Sequence, residues 1–520
     1  MNTTKTDEII NKNIDQQRIS ILMDWLKSKN IYIHSAIKLG KRDDGFFVYT
    51  EKFIKKNTII LKVPKNAILS PKTSLLSFFL DKTKIPSILS VCIVYMYEKS
   101  LGQKSPWYGY LQIMPDKVDI PKLWNHEKKW LKGTEIEYVG GLDISELQSA
   151  YNELILPFIK KNKEILNQRI FTYNNFLKAI SVVRSRVFEI DKFHNLGLVP
   201  FADMFNHATN EHIHFQTFYN VCRHCGLIYC KHIFKLKKYK KTQYEDTCDM
   251  IVHNSPSAFD EVYNTYGTHG NDILLSRYGF ALHKNKWDRI SMSKIFQKND
   301  MKSDRLLWWK LNGFNASYKM GLFKRYFSKN DIKNYFSSDS NNHNDKEIHS
   351  YHNIQYLFLQ DSLFITFPSD PSSPLIFFII LLSLSHKLFK NLEKNTKKTN
   401  IYILNIIRLQ LLYFHTGSIK NLKYQKYTTL LIIFKINKFL SNAIDSRLKK
   451  YNQTLILDNL VYENIKTQEN KRKHWTKIVL QNEIDILNNT KKKCIKLIHK
   501  TKLILKYQKL YSFKIKKNYF

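Results

Sequence analysis

The hydrophobic pattern of this chain switches between two periods, and the switch points constrain its fold more than any other feature. From about Trp25 to Pro64 the segments are short: "FFVYTEKFIKKNTIILKVP" sets β-branched and aromatic runs around polar turns, as paired strands do. From about Thr73 to Arg186 the period becomes helical. In "FTYNNFLKAISVVRSRVF", Phe176, Ile180, Val183 and Val187 recur at i, i+4, i+7 and i+11 and line one face. Between Leu198 and Leu282 strands and turns return. After about Lys284 the chain turns Lys/Asn/Ser-rich, and Ser337 to Asn344, "SSDSNNHN", is a polar low-complexity loop. Beyond Pro374, "LIFFIILLSLSHKLF", "IYILNIIRLQLLYF" and "TTLLIIFKINKFL" are helical again. No internal repeat is evident. The pattern predicts an α+β N-terminal domain followed by an all-α C-terminal domain.

Length and composition sharpen this. With 520 residues and 43% apolar content the chain can bury a sizeable core, and its length suggests two or more domains. Six cysteines do not make a disulfide scaffold. The N-terminal "MNTTKTDEIINKNIDQQ" lacks the apolar stretch of a signal peptide. The strongest apolar run, Leu375 to Leu384, is ten residues, too short to span a bilayer, and reads as a buried helix. These features predict a protein without a membrane span, in a reducing compartment, cytoplasmic or nuclear. The 83 Lys+Arg against 44 Asp+Glu give +39. Such an excess can signal a nucleic-acid or anionic-membrane partner. Here Lys is mixed evenly among Asn and Ile, which reads as compositional bias, and no clear nucleic-acid motif accompanies it.

The chemically informative stretch is "LVPFADMFNHATN" (Leu198 to Asn210) followed by "FDEVYNTYGTHGNDILLSRYGFAL" (Phe259 to Leu282). The first reads as an apolar strand ending in Asp203, Asn206 and His207, which offer donors and acceptors to a ring or carboxylate. The second reads as a strand, a Tyr-Gly turn, and a short helix opened by Asn271 and leading to Tyr278-Gly279-Phe280. A lone buried tyrosine is usually core. The combination is more specific.

These residues resemble the SET-domain protein methyltransferases, in particular the Rubisco large-subunit methyltransferase-like branch. Upstream elements are similar in the same order. "SPWYGYLQIMP" (Ser105 to Pro115) is similar to that branch's S-x-W-x-x-Y-x-x-x-L-P element, "WLKGTEI" (Trp130 to Ile136) to its Leu-x-Gly-Thr segment, and the helix before Arg186 to its Ser-Arg-x-Phe ending. The start, Trp25 through "DDGFFVYTEKFIKKNTIILKVP", resembles the first SET strands. The likeness covers about 20–285, with a helical insert at about 73–186. "RKHWTKIVLQNEIDIL" (Arg472 to Leu487) is similar to a late helix of the family's substrate-binding domain, here 286–520. The implied fold is a strand-rich, pseudoknotted SET core followed by helices.

The resemblance implies S-adenosylmethionine-dependent methylation of a lysine on a protein substrate, most often a non-histone one; a histone target or a catalytically silent SET-fold binding protein are the alternatives. Tyr266 matches the catalytic tyrosine and Tyr278 the second active-site tyrosine. Asn206 and His207 match the cofactor-binding pair, with Asp203 as a supporting carboxylate. Arg186, seventeen residues before Asp203, matches the arginine on the cofactor's carboxylate. The resemblance also assigns cofactor binding to Asp44, Gly45 and Phe46 in the first turn, and to Tyr266; the family's turn is Gly-x-Gly, and here Phe47 stands at the second glycine, which puts cofactor affinity in question. A basic chain does not attract a lysine-rich histone tail, which favours a folded, acidic or RNA-associated target.

One cluster lies outside the family pattern. Four of the six cysteines fall between Cys222 and Cys248, and Cys222-x-x-Cys225-Gly has the form of a zinc-knuckle turn. It sits in a basic insertion at about 220–253. The expected zinc ligands are Cys222, Cys225, Cys230 and either His232 or Cys248; the bland alternative is reduced cysteines in a long basic loop.

Overall fold

The computed structural model describes residues 5–42, 45–228, 230–234, 246–293, 303–327, 360–394, 397–418, 420–451 and 467–517. Its secondary structure is α+β, with a helical C-terminal region. The chain forms two compact units: Met1–Asn125, Leu142–His269 and Ile273–Gly279 make the first, and His126–Gly141, Gly270–Asp272 and Phe280–Phe520 the second. The loop at 337–344 lies outside the described residues.

In the first unit, strands from the two ends of the SET-like region pair with each other. β1 (Tyr32–Ile33) and β4 (Ile59–Pro64) join β8 (Thr247–Val252) and β7 (Ile213–Thr217) in an antiparallel sheet of order β1-β4-β8-β7. The register sets Leu61 opposite Met250, Val63 opposite Cys248, and Thr217 opposite Cys248. Along β8, Cys248, Met250 and Val252 are buried while the residues between them are not, the two-residue alternation of a strand with one face on the core. β2 (Ile37–Arg42) and β3 (Gly45–Thr50) form a hairpin, and β5 (Val187–Glu189) pairs with β6 (Leu196–Leu198).

The helical insert supplies the other wall of this core. Helix Ser87–Ser100 packs on helix Tyr173–Arg186, and Phe176, Ile180 and Val183 are buried as their spacing predicts. Thr172 caps the second helix, its hydroxyl accepting from Asn175 N at 3.3 Å. That helix ends where β5 begins, so Val187 leaves the apolar face and Arg186 stands at the helix C-terminus, where a cation is favoured.

The second unit is mainly helical, but it opens on a small sheet that the all-α expectation does not contain. β9 (Arg289–Ser291), β10 (Phe364–Thr366) and β11 (Asp370–Pro371) pair antiparallel. The apolar run becomes helix Ser373–Ser383, capped by Ser372, with Leu375 through Leu381 at most 2% exposed. Its neighbours include helices Lys397–Thr416 and Tyr427–Leu448, and a 50-residue helix, Gln468–Lys517, packs on the latter. Among the described residues no helix is long and apolar enough to cross a membrane.

Candidate active site

The candidate site lies within the first unit and is assembled from stretches far apart in the chain. After β6 the expected strand does not continue. Phe201 adopts φ +68°, uncommon and costly for a bulky residue, and Ala202–Met204 make a tight helical turn. This turn buries Asp203 and aims it at two partners. Tyr110 Oη donates to Asp203 Oδ2 at 2.9 Å, and Arg186 Nη1 pairs with the same oxygen at 3.3 Å while donating to the Asp203 carbonyl at 2.8 Å. Burial pushes the Asp203 carboxyl up. Burial works against the Arg186 cation, but Asp203, Tyr266 and Tyr110 outweigh it and raise its pKa, so the guanidinium stays charged.

The segment Phe259–Asn264 lies between β3 and residues 206–208. On one side Val262 N donates to Val48 O at 2.8 Å; on the other Asn264 N donates to Asn206 O at 2.8 Å, and Ala208 N donates to Asn264 O at 3.2 Å. Bridges join Tyr49 to Glu261 and His207 to Asn264. This arrangement brings together the two sequence motifs, though they are more than fifty residues apart. His207 Nδ1 accepts from Tyr266 N at 3.1 Å, and their rings stack at 5.2 Å. Tyr266 Oη donates to Phe205 O at 3.1 Å. The Tyr266 and Tyr278 rings stack at 4.6 Å, so the two predicted tyrosines meet.

The electrostatics of this cluster are those of neutral groups. Burial, aided by His269, lowers the His207 pKa to about 4, leaving a neutral imidazole. Burial raises both Tyr266 and Tyr278, against Arg186 and Arg277 respectively, so both phenols keep their protons.

Asn206 takes a partner that the sequence reading did not single out. Its Nδ2 donates to Glu261 Oε1 at 2.8 Å, while Glu261 Oε2 accepts from Arg42 Nη1 at 2.6 Å and Tyr263 Oη at 3.0 Å. Glu261 lies inside the "FDEVYNTYG" motif, and Tyr110 is the tyrosine of the S-x-W-x-x-Y element. Both were in view as motif members, but a lone residue carries no periodic signal of a partner.

The β2–β3 hairpin forms one edge. Asp44 lies outside the described residues. Gly45 holds φ +143°, a backbone conformation that a side chain rarely adopts. Arg18 and Lys41 approach the Phe46 ring at 5.9 and 5.5 Å. Phe47, in place of the second glycine, lies across Gly40, where any Cβ would come within 2.5 Å of its ring, and Arg42 covers it at 3.7 Å. The aromatic ring thus fills room that a second glycine leaves open.

The cysteine-histidine cluster also converges in part. One ligand atom from each of Cys222, Cys225, Cys230 and His232 lies within 4.8 Å of the others. Cys248 does not join them. It stands in β8 with its side chain in the core, where burial pushes its thiol up to about 12. The strand alternation decides this: position 248 shares the inward face with Met250 and Val252.

Comparisons with known proteins agree with this geometry. Solved structures of Rubisco LSMT bound to AdoMet, and to sinefungin and monomethyllysine, superpose with TM-scores of 0.58 and 0.59, covering 93–94% of this chain and 93% of theirs, at 17% identity. The chain has the SET fold. In sequence, this SET-fold chain is 25% identical over 368 residues to ribosomal lysine N-methyltransferase 3 of Saccharomyces cerevisiae, spanning 55% of this chain and 65% of that protein. It is 23% identical over 289 residues to N-lysine methyltransferase setd6 of Xenopus tropicalis (51% and 57%), and 28% over 200 residues to the chloroplastic fructose-bisphosphate aldolase-lysine N-methyltransferase of Arabidopsis thaliana (35% and 38%). The matched region of the SET chain thus spans less than two thirds of each of these relatives. No protein-family model matches the chain.

The site's own atoms fit a zwitterionic cofactor. Arg186 Nε, Asp203 Oδ1 and Asn264 Oδ1 are buried with no hydrogen-bond partner among the described residues. Buried polar atoms of both signs beside a neutral aromatic stack suit a ligand carrying an ammonium, a carboxylate and a heteroaromatic ring.

Proposed function

We propose that this chain is an S-adenosylmethionine-dependent protein-lysine N-methyltransferase acting on a non-histone protein. The observation that carries the reading is the stacked Tyr266–Tyr278 pair beside a neutral His207 and the Arg186–Asp203 pair. The relatives named above support the substrate class, since one carries "ribosomal lysine" and another fructose-bisphosphate aldolase in its name. Residues 286–520 are read as the substrate-binding part, and the setting as cytoplasmic or nuclear.

S-adenosylmethionine supplies an electrophilic methyl on a sulfonium; the lysine nitrogen forms the new N–C bond as the C–S bond breaks, leaving a neutral thioether. The chain's residues prepare that step. Arg186 would hold the cofactor's carboxylate through the part of its fork that Asp203 leaves open, and Asn206 and His207 would border the same ligand with neutral groups. Phenols that keep their protons place no phenolate next to the incoming amine, which would otherwise be held as an unreactive ammonium. Stacked rings exclude water and aid loss of the lysine proton before attack. The Tyr266 hydroxyl, tethered to the Phe205 carbonyl, is fixed in orientation at the reacting centre.

Transfer of radiolabelled methyl groups into cell lysate tests this. Tyr266→Phe retains the ring stack and removes one oriented hydroxyl, with an expected loss of about 100-fold or more. If the wild-type chain labels no protein under any condition, the silent SET-fold reading takes its place.

A further inference from the structure

We propose that Cys222, Cys225, Cys230 and His232 hold a structural zinc ion that folds the start of the insertion onto the body of the first unit. Three observations carry this. The Cys222 and Cys230 sulfurs stand 3.8 and 3.6 Å from His232 Nδ1, and all four ligand atoms are mutually within 4.8 Å. At zinc–sulfur and zinc–nitrogen bonds of about 2.3 and 2.1 Å, tetrahedral edges are about 3.6–3.8 Å.

The turn between the first two cysteines has the backbone of a metal knuckle. Gly226 N donates to Cys222 O at 2.9 Å, Cys222 N to Leu227 O at 3.0 Å, and His224 N to the Cys222 sulfur at 3.4 Å. Such N–H···S contacts suit a metal-bound thiolate. Gly226, at φ +73°, lies under the Phe193 ring, where a Cβ would come within 2.6 Å, so the close approach requires glycine.

The knuckle rests on a rigid platform. The Asp191 carboxylate accepts from the backbone of Phe193 and His194 at 2.9 and 2.8 Å and pairs with the buried Lys65 at 2.7 Å. Lys65 in turn donates to Phe218 O at 3.0 Å, and Lys192 N to Tyr219 O at 3.2 Å, just before the first cysteine. His232 returns the chain from ten residues further on and closes the ligand set. Four protein ligands fill a tetrahedral shell and leave no open position, so the metal's role is structural rather than catalytic. The proposal is independent of whether the chain transfers methyl groups.

The test is the metal content of the full-length chain purified under reducing conditions. About one zinc per chain is expected, lost in Cys222→Ser and Cys225→Ser but kept in Cys248→Ser. Should the first two variants fail to fold, cobalt(II) titrated into chelator-stripped wild-type chain decides the matter. Intense visible d–d bands with thiolate charge transfer in the near ultraviolet mark a tetrahedral thiolate site. A stripped, reduced chain that gives neither bands nor zinc uptake overturns the proposal, as does stoichiometric zinc retained by Cys222→Ser, or a disulfide mapped among these cysteines.

Discussion

Two arginines paired with buried acids, one in each unit, show what separates a fastening from a site. In the second unit Arg447 is completely enclosed. Its Nη2 pairs with Glu135 at 2.6 Å and approaches Glu483 at 3.9 Å, Nε donates to Tyr451 Oη at 3.3 Å, and the Tyr138 ring covers it at 3.7 Å. Tyr451 Oη then donates to Glu483 Oε2 at 2.7 Å, and Glu483 Oε1 accepts from Glu135 N at 2.9 Å. This network ties the His126–Gly141 segment to the C-terminal helices of its own unit. Arg186 in the first unit has a single carboxylate, and its side chain remains 25% exposed. Both guanidiniums are charged and both are held by acids. Arg447 turns Nε and Nη2 to groups of the fold, and its Nη1, without a partner among the described residues, is sealed from solvent; Arg186 has an unpartnered Nε on a side chain that is partly exposed.

The largest effect is expected where the guanidinium is enclosed. Arg447→Met leaves two buried carboxyls without their cation and costs about 3–5 kcal/mol. Chemical denaturation with a probe in the second unit measures it. A loss below about 1 kcal/mol would mean that the enclosed network is ornamental, and the contrast with Arg186 would fail.

A smaller effect of the same network is its response to pH. Burial raises Glu135 to about 7 and Glu483 to about 8; Arg447 opposes both shifts, while repulsion from Asp272 adds to the first and repulsion from Glu135 to the second. Both folded values lie above the unfolded one near 4.5. Their stabilisation is therefore complete below about pH 4.5 and is lost as the pH rises through 7 to 8. Asp288, raised by burial to about 7 although Asn271 and Asn482 donate to it, acts with the same sign. From pH 6 to pH 9 the second unit should therefore become progressively less stable to denaturant. Glu483→Gln should flatten the slope, and a slope unchanged in that variant would assign the effect to Glu135 and Asp288.

Much of this was legible in the sequence, for identifiable reasons. Long apolar periods placed the helices, since Phe176, Ile180 and Val183 repeat over two turns. Strands of two or three residues, such as β9 to β11, are too short to show a period, so the small sheet of the second unit was invisible. The His126–Gly141 segment folds as single turns and carries no pattern that points to its packing partners. At the site, motif order brought Asn206, His207, Tyr266 and Tyr278 into one group. Partners fixed only by tertiary proximity, Tyr110 on Asp203 and Glu261 on Asn206, could not be read. Cys248 shows the reverse error: near the cluster along the chain, it is turned away by the pleat of β8.

The finest distinction between the two arginines comes from exchanging the fork for a point charge. Arg186→Lys keeps a cation for Asp203, so the buried carboxylate retains a partner and folding stability should change by under about 1 kcal/mol. What it removes is the planar donor set, including the Nε that finds no partner among the described residues. If that capacity serves a ligand carboxylate, S-adenosylmethionine should bind about tenfold more weakly, or about 1.4 kcal/mol, by isothermal titration calorimetry. Unchanged affinity with reduced stability would make Arg186 a second fastening, no different in kind from Arg447. Weaker binding at unchanged stability would show that the same residue type, on the same kind of acid, is committed to the fold in one unit and to a ligand in the other.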